Sequence, residues 1–244
     1  MELYGITNSG KVRQQNQDVF KTFISEDESL AVIVVCDGMG GARAGNVASE
    51  LAAETFMSFI EQNICDSITI EQAAVLMSEA VLEANSAVFE KSSAGAEFAG
   101  MGTTLTALIS APYGEVVANV GDSRAYHVTQ NSISQITKDH SIIEDLVARG
   151  DITRAEARKH PNKHLITRAL GTNYTEEPDL FFPYLPGGDY IVLCSDGLTN
   201  LLMDNEILFE MQRDYSINEI CENLIETALN RGAPDNVTAV IFKK

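Results

Sequence analysis

Two apolar runs end in the same way, and that ending limits what the chain can fold into. Leu30-Ala-Val-Ile-Val-Val-Cys36 stops at Asp37-Gly38, and Tyr190-Ile-Val-Leu-Cys194 stops at Ser195-Asp196-Gly197. Runs rich in β-branched residues without polar alternation read as strands buried on both faces. Such strands need a layer packed on each side. A carboxylate at the end of each needs compensation that the apolar run cannot give.

The remaining elements supply the layers. Residues 3–7 read as a short strand. Glycines 38, 40 and 41 read as a loop. From Asn46 to about Ile64 the apolar positions recur at helical spacing, and Thr69 opens a second helix with Gln72 as its capping-box partner. Residues 104–111 and 115–120 read as a hairpin, and 124–128 with 132–137 as another. Ser216 and Glu219 form an S-x-x-E capping box for a helix over 216–230, with Gly232 as its stop. Residues 237–242 read as the last strand. Helix pairs separated by hairpins predict an α+β fold: an α-β-β-α sandwich of two mainly antiparallel sheets flanked by helix pairs. No repeat or linker divides the 244 residues, so a single domain over 1–244 is expected.

Residues 139–170 interrupt this pattern. The segment is polar and rich in His, Arg and Lys, with a short helical piece over 142–149. Its composition fits a mobile lid over a sheet edge or an irregular surface excursion, and pattern alone does not choose.

Charge narrows the function. The chain carries 35 acidic against 17 basic residues, a formal net charge of −18. Such a surface repels nucleic acid and anionic lipid. It also repels phosphate, so a phosphate site here needs cations or an arginine. The longest apolar run is too short to span a bilayer, and the N-terminus lacks a signal-peptide pattern. Cys36, Cys65, Cys194 and Cys221 form no CxxC pair and read as reduced, structural thiols, which suits a cytoplasmic location.

Three aspartates share one situation, and two more can join them. Asp37 and Asp196 follow buried strands and precede glycine, Asp122 follows Gly121 after a strand, and Asp235 precedes the last strand. Asp18, in Asn16-Gln17-Asp18, stands at an early strand. Asp-Gly is also a common turn pair, so each aspartate alone is more simply a turn former. Together, at the ends of otherwise apolar strands, they favour a metal site, because divalent cations resolve the repulsion of clustered like charges. Oxygen ligands without His or Cys select Mg²⁺ or Mn²⁺ over Zn²⁺. Arg13 lies close in sequence to Asp18 and can hold a phosphate through two parallel hydrogen bonds. Other phosphate chemistries fit poorly. Cys36 to Arg43 misses the Cys-x5-Arg spacing by one residue, and Gly38-Met39-Gly40-Gly41 lacks the Gly-Lys-Ser/Thr of a Walker loop.

Seven segments in order resemble the PPM family, the protein phosphatase 2C type, and in particular its short bacterial members. They are Arg13-x-x-Asn16-Gln17-Asp18, Val35-Cys36-Asp37-Gly38-Met39-Gly40-Gly41, Gly100-Met101-Gly102-Thr103-Thr104, Val120-Gly121-Asp122-Ser123-Arg124, Ile166-Thr167-Arg168-Ala169-Leu170-Gly171, Cys194-Ser195-Asp196-Gly197 and Asp235-Asn236-Val237-Thr238. The resemblance implies a metal-dependent serine/threonine phosphatase with a dinuclear Mn²⁺ or Mg²⁺ centre. In it Asp37 would bridge two ions, the Gly38 carbonyl would bind one, and Asp196 and Asp235 the other. Asp18 would act through a water on a metal. A weaker third ion would sit near Asp122 and Asp196. Arg13 would hold the substrate phosphate, Asp37 and Arg13 would be the catalytic pair, and residues 139–170 would be the family's flap. The resemblance further implies a cytoplasmic monomer acting on phosphorylated proteins, including a serine/threonine kinase. Two departures matter. Met39 stands where many relatives carry a histidine proposed as general acid, and Asn200 where many carry another acid. Two other readings are a phosphopeptide-sensing module without hydrolysis, which the intact Asp37, Asp196 and Asp235 disfavour, and a phosphodiesterase, which the acidic surface disfavours.

Overall fold

The 30–36 run forms the body of β3 (Ala31–Met39), and its residues alternate between two cores. Val32, Val34 and Cys36 face one apolar cluster, while Ala31, Ile33 and Val35 face another. Both faces are covered, which is why the run shows no polar alternation. The computed structural model describes residues 1–65 and 67–244, without the side chains of residues 41–43, so Arg43 and its near miss of the Cys-x5-Arg spacing lie outside the described residues.

In chain order, β1 (Glu2–Asn8), β2 (Asp18–Ile24) and β3 are followed by α1 (Gly41–Asn63) and α2 (Ile70–Ser93). Then come β4 (Gly102–Thr103), β5 (Leu105–Ala111), β6 (Gly114–Val120), β7 (Arg124–Val128) and β8 (Ile133–Gln135). The short helices α3 (Ile142–Ala148) and α4 (Arg154–Ala157) precede β9 (Asp179–Phe181) and β10 (Tyr190–Cys194). The chain closes with α5 (Asp196–Thr199), α6 (Asp204–Met211), α7 (Ile217–Asn230) and β11 (Val237–Lys243).

The strands make two antiparallel sheets, β1-β11-β10-β7-β8 and β2-β3-β5-β6-β9, with β4 paired to β3. The inter-sheet core joins Ile33, Val35, Leu108 and Val117 to Ile191, Leu193, Val240 and Phe242. Helices α1 and α2 cover the outer face of the second sheet through Ala52, Phe56, Met77 and Val81. Helices α6 and α7 cover the first through Ile207, Met211, Ile220 and Leu224. The α-β-β-α sandwich predicted from the sequence is therefore the observed architecture.

Local boundaries differ where no local signal marks them. α1 starts at Gly41, five residues before the expected start at Asn46, because Gly40 precedes it with no side-chain cap. β3 continues through Asp37 and Gly38 to Met39, where a loop was expected, because β4 pairs with it: Gly38 opposite Thr103, Met39 opposite Gly102. The Thr69–Gln72 and Ser216–Glu219 capping boxes form as expected. The 139–170 insertion carries α3 and α4, and its two limbs are bridged at Ser141 and Ile166. The four cysteines are free, as expected; Cys36, Cys194 and Cys221 are buried and Cys65 is exposed. Among the described residues, no helix is long and apolar enough to cross a membrane.

Candidate metal and phosphate site

Strand register builds the site. In β2 and β3, Asp18 stands directly opposite Asp37. In the other sheet, Cys194 stands opposite Ala239, so the end of β10 and the start of β11 share one edge. Asp196, the first residue of α5, and Asp235, just before β11, therefore meet at that edge as predicted. The β6–β7 turn adds Asp122.

Asp37, Gly38, Asp122, Asp196 and Asp235 line one cleft of about 1090 Å³, together with Arg13, Met39, Asn200 and, from the insertion, Lys163, His164 and Ile166. Asp18 does not line it. Asp18 is buried behind the cleft at 3% exposure and links the sheets: Ser195 Oγ and Thr238 Oγ1 each donate to its Oδ2 at 2.7 Å. Its Oδ1 is buried with no hydrogen-bond partner among the described residues. A buried carboxylate oxygen left in that state is costly unless a cation or its water completes it.

The field of the cluster is unfavourable to its own charge. Burial, then Asp18, Asp196, Asp122 and Asp235, push the Asp37 carboxyl well above the usual range. Burial, then Asp196 and Asp139, do the same to Asp122. Burial raises Asp18 to about 6, against the opposing hydroxyl bonds from Ser195 and Thr238. Carboxyls this reluctant to ionise in the bare protein are those that a divalent cation would stabilise as anions.

Two acids are held by protein partners. Arg13 Nη2 donates to Asp235 Oδ2 at 2.8 Å, and Asn200 Nδ2 donates to Asp196 Oδ2 at 2.8 Å. Among the described residues no three His, Cys, Asp or Glu side chains are gathered tightly enough to grip an ion as they stand. The set nonetheless fits a hard cation in kind: oxygen donors, mutual repulsion and an orphaned buried oxygen.

The structure adds residues that motif reading passed over. Thr104 Oγ1 accepts from the Asp37 N–H at 2.9 Å, and its own N–H donates to the Asp37 carbonyl at 2.9 Å. Asn236 ties the loop carrying Arg13 to the start of β11: its amide donates to the Ser9 and Gln15 carbonyls at 3.0 Å each, and its Oδ1 accepts from the Gln17 N–H at 2.9 Å. Thr104, Ser195, Asn236 and Thr238 all lie inside the quoted segments, beside the acids they position.

Residues 9–232 match the protein phosphatase 2C family. The chain belongs to that family. A serine/threonine phosphatase of Listeria welshimeri, Stp, is 34% identical over 98% of this chain and 94% of its own length. The structure of the serine/threonine phosphatase Stp1 from Staphylococcus aureus superposes with a TM-score of 0.94 at 36% identity, covering 100% of this chain and 94% of that one. The catalytic domain of the serine/threonine protein phosphatase PstP, solved in complex with two manganese ions, gives a TM-score of 0.84 at 34% identity, covering 98% and 96%. Membership makes this protein a metal-dependent serine/threonine protein phosphatase.

Proposed function

We propose that this 2C-family phosphatase hydrolyses phosphoserine and phosphothreonine in proteins at a dinuclear Mn²⁺ or Mg²⁺ centre, by direct attack of water. The observation that carries this reading is the convergence of Asp37, Asp122, Asp196 and Asp235, from both sheets, on one cleft that also holds an arginine. Asp37 and the Gly38 carbonyl would hold one ion, Asp37, Asp196 and Asp235 the second, and Asp122 with Asp196 a weaker third. Asp18 would orient a water on the centre through its free Oδ1. Bound ions would supply Lewis acidity at the phosphoryl group and a lower pKa for the attacking water.

The chain's own groups do the rest. Arg13 reaches the cleft from one side and would exchange its bond to Asp235 for a two-point grip on phosphate once a cation takes that carboxylate. Met39 lines the cleft and offers no proton, so the leaving alkoxide must take one from solvent or another group. His164, whose Nδ1 lies 3.8 Å from Asp196 Oδ2, and Lys163 line the cleft from the insertion and are candidates for that task. The whole chain would act as one phosphatase domain, a monomer, with 139–170 as the flap. Phosphorylated proteins, a serine/threonine kinase among them, would be its cytoplasmic substrates.

Hydrolysis of para-nitrophenyl phosphate and of a phosphothreonine peptide, followed with Mn²⁺, with EDTA and in Asp37→Ala, tests the proposal. Activity is expected only with the divalent ion and intact Asp37. Activity surviving EDTA would overturn the metal reading, and none with any divalent ion would favour a phosphopeptide-binding module.

A further inference from the structure

The turn bearing Asp122 is held from outside the cleft by His140. Its main-chain N–H donates to the Gly121 carbonyl at 2.9 Å, and its ring Nδ1 accepts from the Gly121 N–H at 3.1 Å. Gly121 has a φ of +108°, and a Cβ there would lie 2.5 Å from Thr104 Cγ2, so the turn depends on glycine and on what clamps it.

A backbone amide only donates, so Nδ1 is bare and the neutral ring carries its proton on Nε2. Nε2 faces Asp179 Oδ2 of β9 at 3.2 Å, while Arg168 Nη1, 3.0 Å from Nε2, donates to the other Asp179 oxygen at 2.8 Å. Burial, with Arg168 adding to it, keeps the ring below the usual histidine range despite Asp179, in accord with a neutral ring. The His140 carbonyl accepts from the Thr167 N–H at 2.8 Å. The preceding Asp139 is fixed by a forked pair of bonds from Arg124, at 2.9 Å and 2.6 Å. One buried residue thus touches the Asp122 turn, both limbs of the 139–170 insertion and β9.

We propose that His140 is a positioning residue that sets Asp122 in the cleft and couples its place to the seating of the 139–170 insertion. The ring clamps the turn through Nδ1 and donates through Nε2 to Asp179, the carboxylate that it shares with Arg168. The functional consequence rests on the reading of Asp122 as an ion ligand, whereas the clamp on Gly121 does not.

The two ring nitrogens can be separated by substitution. In His140→Asn the amide oxygen can replace Nδ1, while in His140→Gln the amide reaches the Nε2 position and leaves the Gly121 N–H without its acceptor. The measurements are hydrogen exchange of the Gly121 amide in the metal-free protein, calorimetric titration with Mn²⁺, and thermal stability, with Asp122→Asn as reference. His140→Gln is expected to speed Gly121 exchange about tenfold, the effect of one lost hydrogen bond. It should also weaken the least tight Mn²⁺ event, the one that Asp122→Asn removes, and leave the tighter events alone. His140→Asn should retain both properties at a comparable thermal stability. Unchanged Gly121 exchange in His140→Gln, or equal effects of both variants in step with lost stability, would overturn the positioning role. If Asp122→Asn titrates like the parent protein while His140→Gln still frees Gly121, the coupling to ion binding is overturned and only the clamp remains.

Discussion

Replacing Asp18 by Asn should stabilise the metal-free protein at neutral pH, and the effect should shrink and change sign as the pH falls. In the fold, burial raises the Asp18 carboxyl to about 6, against 3.8 for an ordinary aspartate. Between those values the folded state holds the proton more tightly than the unfolded chain, so stability falls as pH rises. Below the lower value the cost is absent, and above the upper it is complete, at about 3 kcal/mol. Asparagine removes the charge and keeps the accepting oxygen for Ser195 and Thr238. Ser195 has its proton free to donate because its Oγ accepts from the Thr238 N–H at 3.0 Å. The new amide N–H, placed where Oδ1 has no partner, costs about 1 kcal/mol at every pH. Asp18→Asn should therefore be slightly less stable than the parent at pH 4 and about 2 kcal/mol more stable at pH 7. Urea unfolding in EDTA, followed by circular dichroism from pH 4 to 8, reads the difference. A difference that stays flat across this range would refute the reasoning. Saturating Mn²⁺ should shrink or reverse it at pH 7, since the cation stabilises the ionised form.

Arg13→Ala should raise the KM for a phosphothreonine peptide about tenfold, with Mn²⁺ affinity equal or greater because Asp235 is released; equal losses of both in kinetics and calorimetry would contradict a phosphate-holding role. Its stability should change by less than about 1 kcal/mol in thermal unfolding, because the pair with Asp235 is half exposed. Asn200→Asp should destabilise the metal-free protein by about 1 kcal/mol, since a donor to Asp196 becomes a like charge, and should tighten the weakest Mn²⁺ event; denaturation in EDTA and calorimetry read the two effects. Gly197→Ala would place a Cβ 1.8 Å from the Asn236 carbonyl oxygen, so it should cost about 3 kcal/mol or more and push Asp196 away from Asp235. Urea denaturation and residual activity check that outcome.

The sequence disclosed the layers and the acids because both leave local marks. An unalternating run such as 30–36 shows burial on both faces, and Asp-Gly after such a run shows a carboxylate brought to an edge. Capping boxes at Thr69 and Ser216 showed helix starts, whereas α1, which begins after an uncapped glycine, could not be placed to the residue. The continuation of β3 past Asp37, over Gly38 and Met39, depends on β4, a two-residue partner some sixty residues away with no pattern of its own. β9, three residues long, is invisible for the same reason. Asp18 was legible as a site acid but not as the buried cross-sheet link, because its partners Ser195 and Thr238 are distant in sequence. The roles of Arg13 and Asn200 toward Asp235 and Asp196 likewise follow from tertiary placement that spacing does not encode.

β11 lies between β1 and β10, and the residues leading into it carry Asp235 and Asn236. The bond from Arg13 to Asp235 spans 222 positions, and Asn236 ties down the loop before Asp18. During synthesis, a growing chain can therefore present Arg13, Asp18 and Asp37 long before the segment that unites them has left the ribosome. Until then the first sheet lacks the strand between β1 and β10, and the cleft lacks Asp235. Loss of residues 235–243 should therefore silence the enzyme with every other candidate site residue in place.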